Sequence, residues 1–201
     1  MITIIDYGMG NLGSVLNMFK RLNVPAKITS DADLIANSKK ILLPGVGAFD
    51  NAMNSINNSG LREILDHKAI VERVHVLGIC LGMQLLTRSS EEGECAGLGW
   101  VQASTYKFPP AAGLKVPHMG WNVVKPTRRS ELTKELFDKS RFYFVHSYYV
   151  KVENENNSIL KTHHGITFDS AIQNQNIYGA QFHPEKSHKF GMHLLKNFAN
   201  L

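Results

Sequence analysis

From residue 3 to residue 87, short apolar runs alternate with helix-like stretches, and this alternation constrains the chain more than any other feature. A strand–helix–strand series closes as a parallel sheet with helices over both faces, because each crossover must return across the sheet. Residues 3–6 read as a buried strand. In residues 12–22, Leu12, Val15, Leu16, Phe19 and Leu22 share one helical stripe. Residues 26–28 read as a second strand and residues 41–43 as a third, ended by Pro44-Gly45. Residues 48–56 and 61–71 read as helices. Residues 74–79 form an apolar strand interrupted only by His75, and residues 81–87 follow as a helix with no linker.

The second half has a different texture. Residues 101–106, 116–117, 142–150, 158–161, 171–173 and 177–181 read as strands joined by turn-rich segments, which predicts antiparallel hairpins added to the sheet. A helix over residues 189–200 closes the chain. The glycine-bearing polar stretch 89–99 and the stretch 108–113 read as surface loops. The expected class is therefore α/β: a mostly parallel central sheet flanked by helices, with an antiparallel extension. A chain of 201 residues suits one domain, residues 1–201.

Composition narrows the function classes. The formal charge of +5 is spread along the chain, without the clustered basic residues and interleaved aromatics of a nucleic-acid face. No apolar run approaches the ~20 residues of a membrane span. Two cysteines, Cys80 and Cys95, are too few for a disulfide framework. The N-terminus meets Asp6 without a basic leader, so it reads as a strand, and the expected compartment is the cytoplasm. His183, His188 and His193 recur every five residues, which keeps them off one helical face. Neither they nor His163 and His164 have a Cys or acid in ligand spacing, so no metal and no cofactor is expected.

The chemistry concentrates at Gly78-Ile79-Cys80-Leu81-Gly82, where the buried strand turns directly into a helix. A glycine-flanked nucleophile on such a turn is an elbow: the bend leaves no room for side chains beside it and exposes the sulfur at the sheet's carboxyl end. The helix N-terminus there favours a thiolate. Taken alone, the pentapeptide also fits a buried core cysteine. A nucleophile needs a base, and the base needs an orienting group. His183-Pro184-Glu185 supplies both after the strand 177–181; in extended chain His183 and Glu185 face the same side. Such a base contributes about 10²–10⁴-fold. The backbone N–H of Leu81 is one candidate oxyanion donor, and the loop Pro44-Gly45-Val46-Gly47 can supply a second, although it reads equally as a plain strand-ending turn. Cys95, in the glycine-rich stretch, reads as incidental.

One competing motif stands near the N-terminus. Gly8-Met9-Gly10-Asn11-Leu12-Gly13 matches G-x-G-x-x-G between a strand and a helix, with Asp31 beyond it, the pattern of a dinucleotide site. That reading leaves the cysteine, histidine and glutamate at other strand ends unexplained.

Taken together, the elbow extending to Met83-Gln84, the upstream Pro44-Gly45-Val46-Gly47 and the late His183-Pro184-Glu185 resemble the class I, triad-type glutamine amidotransferases. More narrowly, Asp6-Tyr7-Gly8-Met9-Gly10-Asn11, Pro117-His118-Met119-Gly120-Trp121-Asn122, Tyr143-Phe144-Val145-His146-Ser147-Tyr148 and Gln181 through Ser187 resemble the glutaminase subunits of imidazole glycerol phosphate synthase, the HisH family. The resemblance spans nearly the whole chain. It implies hydrolysis of L-glutamine at Cys80, with His183 and Glu185 completing a triad. It implies a heterodimer with a (β/α)₈-barrel cyclase, which switches the glutaminase on and receives ammonia through its barrel. By the same resemblance Gly47 and Leu81 form the oxyanion site. Gly45, Gln84, His146, Ser147 and Tyr148 contact glutamine, and Asn11, Trp121 and Tyr143 lie toward the partner. A branch of the family feeds ammonia to a sugar-modifying amidotransferase in surface-polysaccharide synthesis. The segments Glu91-Glu92-Gly93 to Gly97-Leu98-Gly99-Trp100 and Ser187 to Met192 resemble that branch. The glutaminase chemistry is common to both.

Overall fold

A computed structural model describes residues 1–110, 114–136 and 139–201. Five strands form the parallel half of the main sheet: β1 (Ile2–Ile5), β2 (Ala26–Thr29), β3 (Lys40–Gly45), β4 (His75–Cys80) and β12 (Ile177–Ala180), in the order β2-β1-β3-β4-β12. The crossovers are α1 (Leu12–Arg21), α2 (Ala32–Ala36), α3 (Phe49–Asn58), α4 (Leu61–Asp66) and α5 (Leu81–Leu85). The antiparallel half continues from β12 through β11 (Ile166–Asn174) and β10 (Ser158–His164) to β7 (Lys125–Pro126), while β9 (Tyr148–Val152) pairs with β11 and β5 (Ala103–Lys107). β6 (His118–Val123) and β8 (Arg141–His146) form a separate two-stranded sheet, and α6 (His188–Asn200) ends the chain.

The period of two along each strand explains the layers. On β3, Ile41 and Leu43 join the core under α3 and α4, while Leu42 faces the opposite core with Val15 and Phe19 of α1 and Leu194 and Phe198 of α6. β4 divides likewise, Val76 to the first core and Leu77 and Ile79 to the second. Each fully buried apolar side chain stabilises the fold by about 1.5–3 kcal/mol relative to exposure. Local signals support the elements: Asn11 caps α1 by accepting from the Ser14 N–H (3.2 Å), and Lys20 and Arg21 occupy its last turn, where the dipole favours cations.

Several expectations are corrected. Residues 142–150 are not one strand: the chain breaks at Ser147, and β8 and β9 belong to different sheets. Residues 116–117 form a bend with a cis Val116–Pro117 bond, and the strand starts at His118. The helix expected over 61–71 ends at Asp66 and continues as a π-helix over His67–Val71. Residues 89–99 are a surface loop as expected, anchored where Ser90 and Leu98 are buried and where both Asp50 carboxylate oxygens accept from the Glu94 and Cys95 N–H groups (2.9 and 3.0 Å). Residues 111–113 of the other expected loop lie outside the described residues.

Candidate active site

Sheet register assembles the site. Gly45 of β3 lies opposite Cys80 of β4, and Ala180 of β12 lies opposite Ile79, so three adjacent parallel strands release their chains at one edge. Ligands of open α/β sheets bind at such carboxyl ends. The chain after β3 is the Pro44–Gly47 loop, the chain after β4 is the elbow, and the chain after β12 carries Gln181, His183 and Glu185.

Cys80 has φ +53°, a left-handed conformation that a non-glycine residue adopts only where surrounding structure enforces it. The enforcement comes from packing. A Cβ on Gly78 would meet the Gly82 carbonyl oxygen at 2.5 Å, and one on Gly82 would overlap the Leu43 carbonyl oxygen. The sulfur lies 3.9 Å from the Val145 carbonyl oxygen and 3.7 Å from Gln181 Nε2. Cys95 sits beside Asp50 and Asn54; burial first, then hydrogen bonding and charge from Asp50, push its thiol pKa up and disfavour thiolate there.

His183 Nδ1 lies 2.8 Å from Glu185 Oε1, and both side chains are almost fully buried. The carboxylate therefore holds a proton on Nδ1 and leaves Nε2 buried with no hydrogen-bond partner among the described residues, while Cys80 lies near enough to act on the ring's charge. Burial alone lowers the His183 pKa, but hydrogen bonding and charge attraction from Cys80 and Glu185 outweigh it and push the ring up to about 10. The local conformation differs from the expected extended one: Glu185 stands in a 3₁₀ turn over Pro184–Lys186, and that turn, not strand alternation, swings it under the ring. Ser187 locks the turn by donating to the His183 carbonyl (2.6 Å) and accepting from the Tyr143 N–H (3.0 Å).

Beside the sulfur is a cavity of about 200 Å³ lined by Gly47, Leu81, Gln84, Glu92, His146 and Tyr148, with Val46, Val145 and Ser147 completing its wall. Gly45 lies just behind it; a Cβ there would overlap the Tyr7 hydroxyl and crowd Leu81. That hydroxyl donates to the Pro44 carbonyl (2.5 Å), and burial, then the Cys80 charge, raise its pKa and keep it protonated. Gly47 has φ +123°, which suits glycine alone. Gly47, in the loop after β3, and Leu81, the first residue of α5, both line the cavity.

His146 lines the cavity with both ring nitrogens bonded within the protein. Its Nδ1 bonds the Tyr148 carbonyl (2.7 Å) and its Nε2 bonds His118 Nδ1 (2.9 Å), so it borders the cavity as a wall with no free donor. Burial drives the pKa values of both rings down, His118 to about 4 and His146 to about 3, with neighbouring histidines adding to the effect. Glu92, missed in the sequence, is the cavity's acid. It accepts from the Phe49 N–H (3.1 Å), and burial, then the charge of Asp50, raise its pKa against that bond. The only sequence sign of it was its place in a polar run. Gly10 of the glycine-rich segment packs on the chain itself: a Cβ there would stand 3.3 Å from Gly45 Cα.

Asn11 is exposed at the start of α1. Trp121 and Tyr143 pair across β6 and β8, and Trp121 is stacked on His188 with the rings 5.5 Å apart. Lys186 Nζ stands 5.8 Å over the Tyr143 ring. Exposed Met119 and Val123 alternate with Trp121 on the same face of β6. Among the described residues no group of three His, Cys, Asp or Glu side chains could hold a metal ion, and no helix is long and apolar enough to cross a membrane.

The family model for glutamine amidotransferase class-I matches residues 3–201. The chain belongs to the class I glutamine amidotransferases. Within this family it is 52% identical over 198 residues to imidazole glycerol phosphate synthase subunit HisH 2 of Methanococcus maripaludis, covering 98% of each chain. It is 50% identical to subunit HisH of Bdellovibrio bacteriovorus, covering all of both. Among solved structures, one described as glutamine amidotransferase superposes with a TM-score of 0.76 over all of both chains at 16% identity. PurLQS from Thermotoga maritima gives 0.74 over 99% of this chain and 97% of that one at 15% identity. Those two likenesses establish the fold of this amidotransferase, whose parallel sheet and antiparallel part match the sequence expectation.

Proposed function

We propose that this chain is the glutaminase subunit of an imidazole glycerol phosphate synthase, hydrolysing L-glutamine at Cys80 and passing ammonia to a barrel-shaped cyclase partner. The observation that supports the chemistry is the placement of Cys80 and the bonded His183–Glu185 pair at two neighbouring strand ends, close enough for Cys80 to act on the ring's charge. Full-length identity to chains named for imidazole glycerol phosphate synthase favours that acceptor over a sugar.

The steps follow from the atoms in place. With its proton already on His183 Nε2, as the raised pKa of that ring favours, Cys80 Sγ attacks the side-chain carbonyl carbon of glutamine. The resulting oxyanion is held by the N–H groups of Leu81 and Gly47; losing one such donor costs about 10²–10³ in turnover. The tetrahedral intermediate collapses as His183 returns the proton to the departing nitrogen. Ammonia leaves and a γ-glutamyl thioester remains. Water, deprotonated by His183, then attacks the thioester, and glutamate departs, leaving the proton on His183 and the charge on the sulfur. Glu185 keeps Nδ1 protonated and stabilises the imidazolium at each stage.

Recognition of glutamine divides among Glu92, whose carboxylate suits the α-ammonium, and Gln84, Ser147 and Tyr148 across the cavity. The exposed face bearing Met119, Trp121, Val123 and Tyr143, with Asn11, is the docking surface for the cyclase. Sealed transfer matters because ammonia released to neutral water becomes protonated and loses its nucleophilicity. The chain works as one domain in the cytoplasm. Cys80→Ala in the reconstituted complex should abolish glutamine-driven synthesis and leave ammonia-driven synthesis intact. Equal loss of both would remove Cys80 from the mechanism, and a complex inert toward the imidazole precursor but active with a sugar acceptor would reassign the pathway.

A further inference from the structure

Besides the Val145 carbonyl oxygen at 3.9 Å, the sulfur of Cys80 has Gln181 as a polar neighbour, and the orientation of that amide can be derived. Tyr148 offers a backbone carbonyl, which only accepts. Gln84 Nε2 lies 3.2 Å from it and must be the donor, which fixes the Gln84 amide. The same nitrogen lies 3.2 Å from the side-chain amide of Gln181, so the atom facing it must be the acceptor Oε1. With Oε1 committed there, Gln181 turns its Nε2 toward Cys80, 3.7 Å from Sγ. His146 bonds the Tyr148 carbonyl from the other side (2.7 Å) and holds it in place. Gln181 is fully buried and Gln84 is 4% exposed, so solvent does not compete for these bonds.

We propose that Gln181 is a positioning residue for the glutaminase reaction, presenting an N–H to the Cys80 sulfur with its direction set by Gln84 and the Tyr148 carbonyl. The inference rests on the glutaminase reading above. A buried amide N–H bonds a thiolate more strongly than a thiol or a thioester sulfur, so it favours the states in which the sulfur carries charge. It also limits rotation of the sulfur about Cα–Cβ. Both Gln84 N–H bonds are spent inside the protein, which leaves Gln84 Oε1 as its free atom toward glutamine. A donor from the substrate at Oε1 polarises the Gln84 and Gln181 amides in series, so occupation of the cavity strengthens the bond at the nucleophile.

The test uses the full chain and the variant Gln181→Met, which keeps the volume and removes the N–H. Iodoacetamide is the probe, and the masses of the Cys80 and Cys95 peptides are followed separately from about pH 6 to about pH 9.5. Near neutral pH, Cys80 alkylation should slow by about tenfold, as expected for loss of one hydrogen bond to a charged group. The deficit should shrink as pH rises, while Cys95 reacts at the wild-type rate. In the complex with the cyclase, kcat should fall about tenfold with KM within about twofold of wild type. Should circular dichroism show that Gln181→Met loses the fold, Gln181→Glu carries the same test, since it still accepts from Gln84 and offers the ionised sulfur no N–H. Alkylation equal to wild type at every pH, a deficit independent of pH, or a change confined to KM each overturns the assignment. Glutamine should protect Cys80 in the wild type. Absence of protection sinks the glutaminase reading itself, whereas protection with an indifferent Gln181 variant sinks only the role of Gln181.

Discussion

The buried pair His118 and His146 sets an acid limit on the fold that can be worked out in advance. Both are nearly inaccessible, at 3% and 6% exposure, and their nitrogens are spent in one direction: Asn122 Nδ2 to His118 Nε2 (3.0 Å), His118 Nδ1 to His146 Nε2 (2.9 Å), His146 Nδ1 to the Tyr148 carbonyl (2.7 Å). Protonation of either ring places donor against donor. Their folded pKa values, about 4 and about 3, lie below the unfolded value of about 6.5. The sign follows from proton counting. Above the unfolded pKa both states are neutral and the contribution is whole; as pH falls below it the unfolded chain takes up protons that the folded one refuses, and stability drops until the folded pKa is reached. Between pH 7.5 and 5.5 each ring held neutral costs about 1.4 kcal/mol, a figure that requires only a folded pKa well below 5.5. His183, raised, acts with the opposite sign: its contribution is whole below the unfolded pKa and is lost as pH climbs through about 10. A difference measurement cancels it. His118→Gln removes one titrating ring, so its loss of stability between pH 7.5 and 5.5, from urea unfolding, should be smaller than that of wild type by about 1.4 kcal/mol. The melting temperatures should show about 3–6 °C less acid depression for a chain of this size. Parallel pH dependence in the two proteins would show that His118 titrates in the folded state and refute the argument.

Other outcomes can be stated briefly. Glu185→Gln keeps the turn but loses the charge that supports the imidazolium, so kcat should fall by at least about 10² with KM little changed; steady-state glutaminase assays in the complex check this, and near-normal kcat would exclude Glu185 from the triad. Glu92→Gln should raise KM for glutamine several-fold with kcat largely kept, and an unchanged KM would remove it from the substrate site. Gly82→Ala drives a methyl into the Leu43 carbonyl and should lower stability by about 3 kcal/mol, read as a shift in the urea midpoint. Trp121→Ala, at a half-exposed position, should leave the melting temperature nearly unchanged while weakening capture of the cyclase in titration calorimetry; equal affinity would move the docking surface elsewhere.

The legible parts of the fold were those in which one physical signal acts alone. Continuous apolar runs identify β3 and β4 because those strands are buried on both faces, and the stripe through Val15 and Phe19 marks α1 because it has one core-facing side. The elbow is legible because only glycine fits on either side of Cys80. Failures came where signals compete. β6 alternates Met119, Trp121 and Val123 outward, so its apolar side is the exposed one and the usual inside–outside reading inverts. The break at Ser147 rests on one serine within a run of strand-forming residues, a weak turn signal by itself, and tertiary pairing with different partners makes the division. The stretch 89–99 is the surface loop its polarity suggests, but its anchoring through Asp50 and Glu92 is made by contacts between distant segments. In the site, residue types pointed to Cys80, His183 and Glu185, which the fold places at neighbouring strand ends, but Glu92 and the direction of the Gln84–Gln181 bonds depend on contacts between distant segments.

The break at Ser147 also bears on how docking can reach the chemistry. β8 pairs with β6 on one side, through Trp121 and Tyr143. On the other side the Tyr143 carbonyl accepts the His183 N–H (2.9 Å) and its N–H donates to Ser187, which in turn grips the His183 carbonyl. The backbone of the catalytic base is therefore tied to the same residue whose ring stands on the docking face. Past Ser147 the chain becomes β9, whose first residue, Tyr148, bounds the substrate cavity and accepts from Gln84 and His146. β8 is thus bonded at one end to the backbone of His183 and leads at the other, through Ser147, into the cavity wall. Three hydrogen bonds join Tyr143, Ser187 and His183, each contributing about 1 kcal/mol. Under the proposed function, a cyclase seated on the β6–β8 face would touch a strand bonded both to the proposed base and to the cavity wall.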